Sequence, residues 1–272
     1  MSEELTFKPG EQKAIVSNRH SRIPTNLRLL QIIELLGNRG RAMTATEIAR
    51  ETGLPKPTVH RLCKTLELEG YVDRARIGSG IIPARRLRTL SSELLFGSWD
   101  QIARHQVLVG VAASVKETVN FAVPEESGMR YVDRVETDWP FRIQLPVGSN
   151  VPFHCSASAK AYMASLPLPE RQLFVRSLEL PQLAQNTITD PEELLEDLLK
   201  VQKRGYAIDN EEFLDGLNAV AVPIKDFDGR YIASLAFHGP KQRISVVDAV
   251  SKVDVLIEGA RALRDVILQR NS

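Results

Sequence analysis

Residues 44–71 read TATEIARETGLPKPTVHRLCKTLELEGY, and the stretch specifies two short helices joined by a tight turn. Thr44 and Glu47 stand at capping-box spacing, so each side chain can satisfy a backbone N–H of the other. Ile48 and Ala49 supply an apolar face, and Gly53 is placed to end the helix in a left-handed residue. A second helix opens at Pro57, whose missing N–H costs nothing in a first turn. Val59, Leu62, Cys63 and Leu66, at i, i+3, i+4 and i+7, form its inward face. Lys56, Thr58, His60, Arg61 and Lys64 remain on the outward face of the leading turns. Cationic and hydrogen-bonding side chains there suit reading of a DNA major groove. The plain alternative for this stretch alone is a solvated face on an ordinary helical hairpin.

Outward from it, Thr25 is placed to cap a preceding helix running to Leu36, with Leu29, Ile32, Ile33 and Leu36 inward and Gly37 as its stop. Residues 1–20 have no periodicity and read as a flexible arm. Arg19, His20 and Arg22 are candidates for phosphate contact, set against an untethered tail. Tyr71-Val72 reads as a strand, Arg74 and Arg76 lead into Gly78-Ser79-Gly80, and Ile81-Ile82 returns. That basic hairpin suits the sugar-phosphate backbone. Helix, helix, helix, hairpin is a winged helix-turn-helix, placed at 21–83. From Pro83 to Ser98, Leu87, Leu90, Leu94 and Leu95 recur at helical spacing. This is read as a linker helix at 84–98 whose stripe packs on its own copy in a second chain, or else on the wing domain of the same chain.

Charge supports the division. The net charge is only +1, yet residues 21–90 sum to +7 and residues 91–272 to −6. A basic front module on an acidic body suits a DNA-contacting head on a body with another task. At 43% apolar and 25% charged, the 272-residue chain has the composition of a globular protein with a sizeable core. No apolar run reaches the roughly 18 residues a membrane helix needs, and the polar N-terminal stretch carries no export signal. Cys63 and Cys155 have no CxxC or zinc spacing, so free thiols in the cytoplasm are expected.

The body, 99–272, alternates element types. Helices are expected near 99–116, 156–165, 169–177, 190–204 and 246–268. Strands are expected near 118–123, 130–135, 142–145, 206–209, 219–224 and 231–237. Strand groups separated by helices indicate an α+β domain with an antiparallel sheet.

The order of these stretches resembles the IclR family of bacterial transcriptional regulators. In the head the resemblance rests on ATEIARETGLPKPTVHRLCKTLELEGYV. In the body it rests on YVDRVE, LPVGSNVPFHCSASAKAYMAS and GYAIDNEEFLDGLNAVAVPIKDFDGRYIASLAFHGP, in the family's order and spacing. It implies a GAF-like α+β effector-binding domain behind the winged helix, with a small carboxylate metabolite, an organic or aromatic acid, as effector. It also implies a homodimer or dimer of dimers on a near-palindromic double-stranded operator, acting as a repressor, with no cofactor and no enzymatic activity. Two departures stand out. Pro57 replaces a Ser or Thr cap common before Thr58, and the far side of the wing lacks a basic residue often found there. The head's DNA candidates are Arg22, Thr44, Lys56, Thr58, His60, Arg61, Lys64, Arg74 and Arg76.

Carried over by resemblance, the effector pocket takes Ile143, Val151, Ala157 and Ser158 on one side and Asp209, Leu217, Ala219, Ala236 and His238 on the other. The helix start at Ser156-Ala157-Ser158 offers open N–H groups and a positive dipole end to a carboxylate. Ala219 and Ala236, polar in some relatives, imply a less polar or bulkier ligand than the smallest keto acids. Asp209 has a second reading, as part of the turn before Glu211 and Glu212, and His238 as a satisfied strand-end residue. The competing class is a thiol or metal-dependent hydrolase. It would use Cys155 beside His154, or a metal held by His154, Asp209 and His238. The spacing shows no third group to orient the thiol.

Overall fold

The computed structural model describes residues 24–75, 78–96, 101–140 and 145–268. The chain divides into two compact units, Met1–Leu95 and Phe96–Ser272.

In the first unit a 3-10 turn, Thr25–Leu27, leads into α1 (Arg28–Arg39), followed by α2 (Ala45–Thr52) and α3 (Lys56–Leu68). Thr25 lies inside the turn and provides no cap, and α1 runs past Gly37 to end at Gly40, whose φ of 58° suits a left-handed terminus. The expected stop at Gly37 fails because two further residues, Asn38 and Arg39, continue the helix at no steric cost. The capping box of α2 is present: Thr44 Oγ1 accepts from the Glu47 N–H, and Glu47 Oε2 accepts from the Thr44 N–H. Gly53 (φ 70°) closes that helix. The cap position of α3 falls on Pro55, with Pro57 in the first turn, so no side chain caps it. Ile32, Leu36, Ile48, Val59, Leu62, Cys63 and Leu66 form one core with Met43, Val72 and Ile81.

The wing pairs β1 (Val72–Arg74) with β2 (Ile81–Pro83), and Met43 adds a bridge to Ile81 that the sequence pattern did not signal. Gly80 permits that bridge, since a Cβ there would lie 2.6 Å from the Cβ of Ala42. Helix α4 (Arg85–Phe96) follows, its base held by Arg86, which lies 4.4 Å over the Tyr71 ring and donates to the Glu69 carbonyl. Leu90 and Leu94 stay exposed, so they do not bury against the wing of their own chain.

The second unit holds α5 (Gln101–Val115), β3 (Thr118–Pro124), β4 (Met129–Val135), β5 (Asn150–Val151), α6 (Ala157–Ser165), α7 (Leu168–Ser177) and α8 (Pro191–Arg204). After them come β6 (Ala207–Asn210), β7 (Leu217–Lys225), β8 (Tyr231–Pro240), α9 (Val246–Val250) and α10 (Val253–Ile267). The strands form one antiparallel sheet in the order β5-β4-β3-β8-β7-β6. Strand β5 was not anticipated, and of the strand expected at 142–145 only Leu145 is described, outside any strand. The expected last helix is two helices: Ser245 and Asp248 form a capping box that starts α9, and a turn at Ser251-Lys252 separates it from α10.

The two faces of the sheet differ in side-chain size, and this difference places the site. One face presents Val119, Phe121, Val220, Val222, Leu235 and Phe237 to α5, α9 and α10. The other presents Ala122, Ala207, Ala219, Ala221 and Ala236 beneath α6, α7 and α8. Alanines let α6 lie close to the strands, and they leave space where the helix begins.

Candidate functional sites

In the head, α3 carries Lys56, His60 and Lys64 along one stripe at i, i+4 and i+8, with Arg61 beside it; all four are exposed. No side-chain hydrogen bond or ion pair holds any of the four among the described residues, though Lys64 is near enough to Glu67 to lower its carboxyl. Thr58 is half-buried in the same leading turns. The other candidates are occupied differently. Thr44 spends its hydroxyl in the capping box, donating to Glu47 Oε2 at 2.8 Å. Arg74 is exposed but forms a two-point pair with Glu67, at 2.9 and 3.1 Å, which holds the Glu67 carboxyl below its usual range. Any phosphate contact by Arg74 competes with that carboxylate. Arg22 and Arg76 lie outside the described residues.

In the body, the register of the sheet brings residues far apart in sequence into one row. Asp209 on β6 faces Ala219 on β7, and Ala219 faces His238 on β8. Over this row stands the start of α6. Ser156 is in the N-cap position, but its hydroxyl donates to the Pro152 carbonyl at 2.9 Å instead of accepting from the helix. The first amides of α6, those of Ala157, Ser158 and Ala159, thus have no acceptor among the described residues. The same turn is anchored to β8, because Ser234 Oγ donates to the Ser158 carbonyl at 2.8 Å and Tyr231 holds the Ser234 hydroxyl.

Between the row and the helix start is a small cavity with room for about one water molecule. Ala157, Ser158, Asp209, Leu217, Ala219, Ala236 and His238 all line it. Val151 does not: it pairs with Met129 in the sheet, and its side chain fills the core beneath α6. Ile143 lies outside the described residues. Sequence reasoning missed Asn120, Tyr131, Leu145, Phe213 and Phe237 in the lining. For Asn120 a signal was available, since a polar residue in the middle of an apolar strand asks for a partner.

That partner is found across the sheet. Arg134 donates to Asn120 Oδ1 at 3.2 Å, which fixes the amide orientation and turns Asn120 Nδ2 towards His238 Nδ1 at 3.1 Å. A neutral imidazole accepting at Nδ1 carries its proton on Nε2. Asp209 serves both readings at once. Its Oδ1 accepts from the backbone N–H groups of Glu212 and Phe213, at 2.8 and 3.2 Å, so it builds the turn while lining the cavity. Burial, with the neighbouring Glu212 carboxylate, pushes its carboxyl up to about 7.

The groups of the competing hydrolase reading are placed otherwise. His154 is buried and Nε2 bonds to the Pro181 carbonyl at 2.9 Å, and burial lowers its affinity for a proton. Burial pushes the Cys155 thiol far up, the opposite of an activated nucleophile.

A winged helix whose third helix presents exposed basic side chains, joined to a second α+β unit, has the form of a DNA-binding regulator. Comparison with known proteins names the group. The family profile described as "Bacterial transcriptional regulator IclR C-terminal" matches residues 101–264, and the IclR helix-turn-helix domain matches residues 27–76. The chain belongs to the IclR family of transcriptional regulators, DNA-binding proteins and not enzymes. It is 35% identical over 220 residues to "Probable transcriptional regulator SauR" of Cupriavidus necator, covering 81% of this chain and 87% of that one. It is 30% identical over 245 residues to "Transcriptional repressor IclR" of Escherichia coli K12, covering 89% of each. A crystal structure of an IclR homologue from Microbacterium hydrocarbonoxydans complexed with 4-hydroxybenzoate matches at a TM-score of 0.55 and 26% identity, over 90% of this chain and all of that one. Among the described residues no helix is long and apolar enough to cross a membrane.

Proposed function

We propose that the protein is a repressor whose hold on a near-palindromic operator is set by a small carboxylate bound in the body cavity. The observation that carries this reading is the uncapped start of α6 opening onto the same cavity as Asp209 and His238. Open amides at a helix N-terminus attract an anion, and His238 stands in the same lining. The Ala219 and Ala236 floor accepts apolar substance behind the carboxylate. The aromatic acid in the homologue's crystal belongs to the same chemical class. In the head, α3 enters the major groove, with Arg61 on base edges and Lys56 and Lys64 on phosphates. Two heads are needed for a two-fold operator. The exposed Leu90 and Leu94 of α4 supply a surface on which a second copy packs, giving a homodimer or a dimer of dimers.

Mobility-shift titration against the DNA flanking the protein's own gene, with salt varied and a panel of carboxylic acids added, tests both halves. Operator affinity falls steeply with salt if phosphates are neutralised, and one acid of the panel shifts the operator curve. Arg61→Ala is expected to weaken operator binding by about ten- to a hundredfold, the scale of one base-edge contact, with a much smaller loss on random DNA. Equal losses on both would reduce Arg61 to a phosphate contact. Asp209→Ala should leave the ligand-free operator affinity nearly unchanged and abolish the shift caused by the acid. Loss of operator binding in that variant would instead place Asp209 in the scaffold.

A further inference from the structure

We propose that the cavity takes up its anionic ligand together with one proton, carried on Asp209 Oδ2, so that ligand affinity is tied to pH. This rests on the effector reading above and adds the regulation of that same site.

The charges around Asp209 do not balance if it is ionised. From α6, the buried Lys160 gives two N–H groups to Glu212, at 2.6 and 2.7 Å, and its nitrogen lies 3.0 Å from Asp197 of α8. One ammonium therefore already serves two carboxylates. Glu211, in the same turn, is directed outward onto Lys241. From β4, Tyr131 is buried and its phenol is pushed up by burial, so it stays neutral; Arg134 on that strand lies 3.2 Å from Glu136. Cys155 is a neutral thiol, and His238 on β8 meets Asn120 through Nδ1. Among the described residues no cation forms an ion pair with Asp209, which is 1% exposed; the Lys160 ammonium lowers its carboxyl only from a distance and does not offset burial and Glu212.

The two oxygens of Asp209 are not equivalent. Oδ1 is filled by the Glu212 and Phe213 amides, and no donor reaches Oδ2 among the described residues. Oδ2 is therefore where a proton sits. Because Asp209 and the first turn of α6 line the same small cavity, a carboxylate that reaches the α6 amides also lies against Asp209. Two carboxylates side by side in a water-poor site cannot both ionise. With Asp209 protonated, repulsion becomes a hydrogen bond from Oδ2–H to the ligand. The balance is one proton taken from solvent per anion bound above the free carboxyl's own titration point, and none below it.

The sign follows. Asp209 titrates near 7 without ligand, and the bound anion moves that point upward. Ligand affinity is flat below about pH 7 and falls by up to about tenfold per pH unit above it.

Infrared difference spectroscopy on the full chain, with formate as the smallest carboxylate probe, tests this. Ligand-free protein at pH 6 should show a buried protonated-carboxyl band that disappears by pH 8.5. The band should be missing in Asp209→Asn, which keeps the Oδ1 acceptor. It should shift when aspartate side chains, and not glutamates, carry carbon-13. Saturating formate should raise the midpoint by at least about one pH unit. Absence of the band at pH 6, or a midpoint that formate leaves in place, overturns the proposal. If 4-hydroxybenzoate still alters operator binding in that event, the effector reading stands and only the proton coupling falls. If neither acid acts on either readout, both fall.

Discussion

Replacing Lys160 with Met lowers the stability of the body by about 3–5 kcal/mol, the cost of leaving buried carboxylates without their cation. Lys160 is 1% exposed and pairs with Glu212 and Asp197 at once. Burial alone would lower its proton affinity, but the two carboxylates outweigh this and raise it. A raised ammonium contributes stability that is complete below its unfolded pKa, near 10.4. The contribution is therefore intact through the physiological range and is lost only above it. Met matches the Lys stem in volume, so packing changes little. For a unit of this size the loss corresponds to a fall of roughly 6–20 °C in thermal midpoint. In Lys160→Met the stranded carboxylates recover by taking up protons, which the unfolded chain does not do near neutrality. The native variant then binds more protons than the unfolded one, so its stability rises as pH falls. The gap from wild type should narrow between pH 8 and pH 5.5. Thermal melts across that range measure it, and a gap that ignores pH would show that packing, not charge, was lost. The double variant Lys160→Met, Glu212→Met should regain part of the stability, as expected when both members of an ion pair are removed.

Arg171→Met is expected to cost about 3 kcal/mol or more, since buried carbonyls lose their donors. Arg171 sits on α7, is 1% exposed, and donates to the carbonyls of Met163, Ala164 and Leu166 at 3.1, 2.7 and 3.0 Å. The Met163 carbonyl also accepts the Leu166 N–H, whereas those of Ala164 and Leu166, at and just past the end of α6, depend on Arg171. A fourth bond, to Gln202 Oε1 at 3.1 Å, ties the same guanidinium to α8. Lys cannot reproduce this, because one ammonium does not span three carbonyls and an amide as a planar fork does. Arg171→Lys should therefore lose most of the same stability in chemical denaturation. A loss below about 0.5 kcal/mol, the range of ordinary surface changes, would mean that the carbonyls find other donors. Lys160 and Arg171 act on one helix, holding its middle and its end. Through the anchored α6 they place the open amides that face the cavity.

Much of the architecture is readable along the chain because the forces that set it act over a few residues. Thr44 and Glu47 announce the start of α2, and Val59, Leu62, Cys63 and Leu66 announce the buried face of α3. Asp190 and Pro191 open α8 and Gly205 closes it. Where reading failed locally, the reason was also local. Gly37 offers no obligation to stop, and the turn at Ser251-Lys252 divides what hydropathy alone presents as one helix. The single bridge at Met43 and the two-residue β5 are too short to carry a period.

The cavity belongs to a different order of information. Of the pocket residues inferred from resemblance, Ala157, Ser158, Asp209, Leu217, Ala219, Ala236 and His238 come together, while Val151 turns into the core. Ser156 looks like a helix cap in one dimension, but its hydroxyl turns back to Pro152 and leaves the amides open. Asn120 meets His238 across 118 positions of chain, and Lys160 meets Glu212 across 52. Caps, turns and apolar periodicity are properties of neighbours in the chain, so they can be read from one end to the other. The proton on an imidazole, the uncompensated carboxylate and the choice of one oxygen over the other depend on which strands lie side by side, and that pairing is written only in three dimensions.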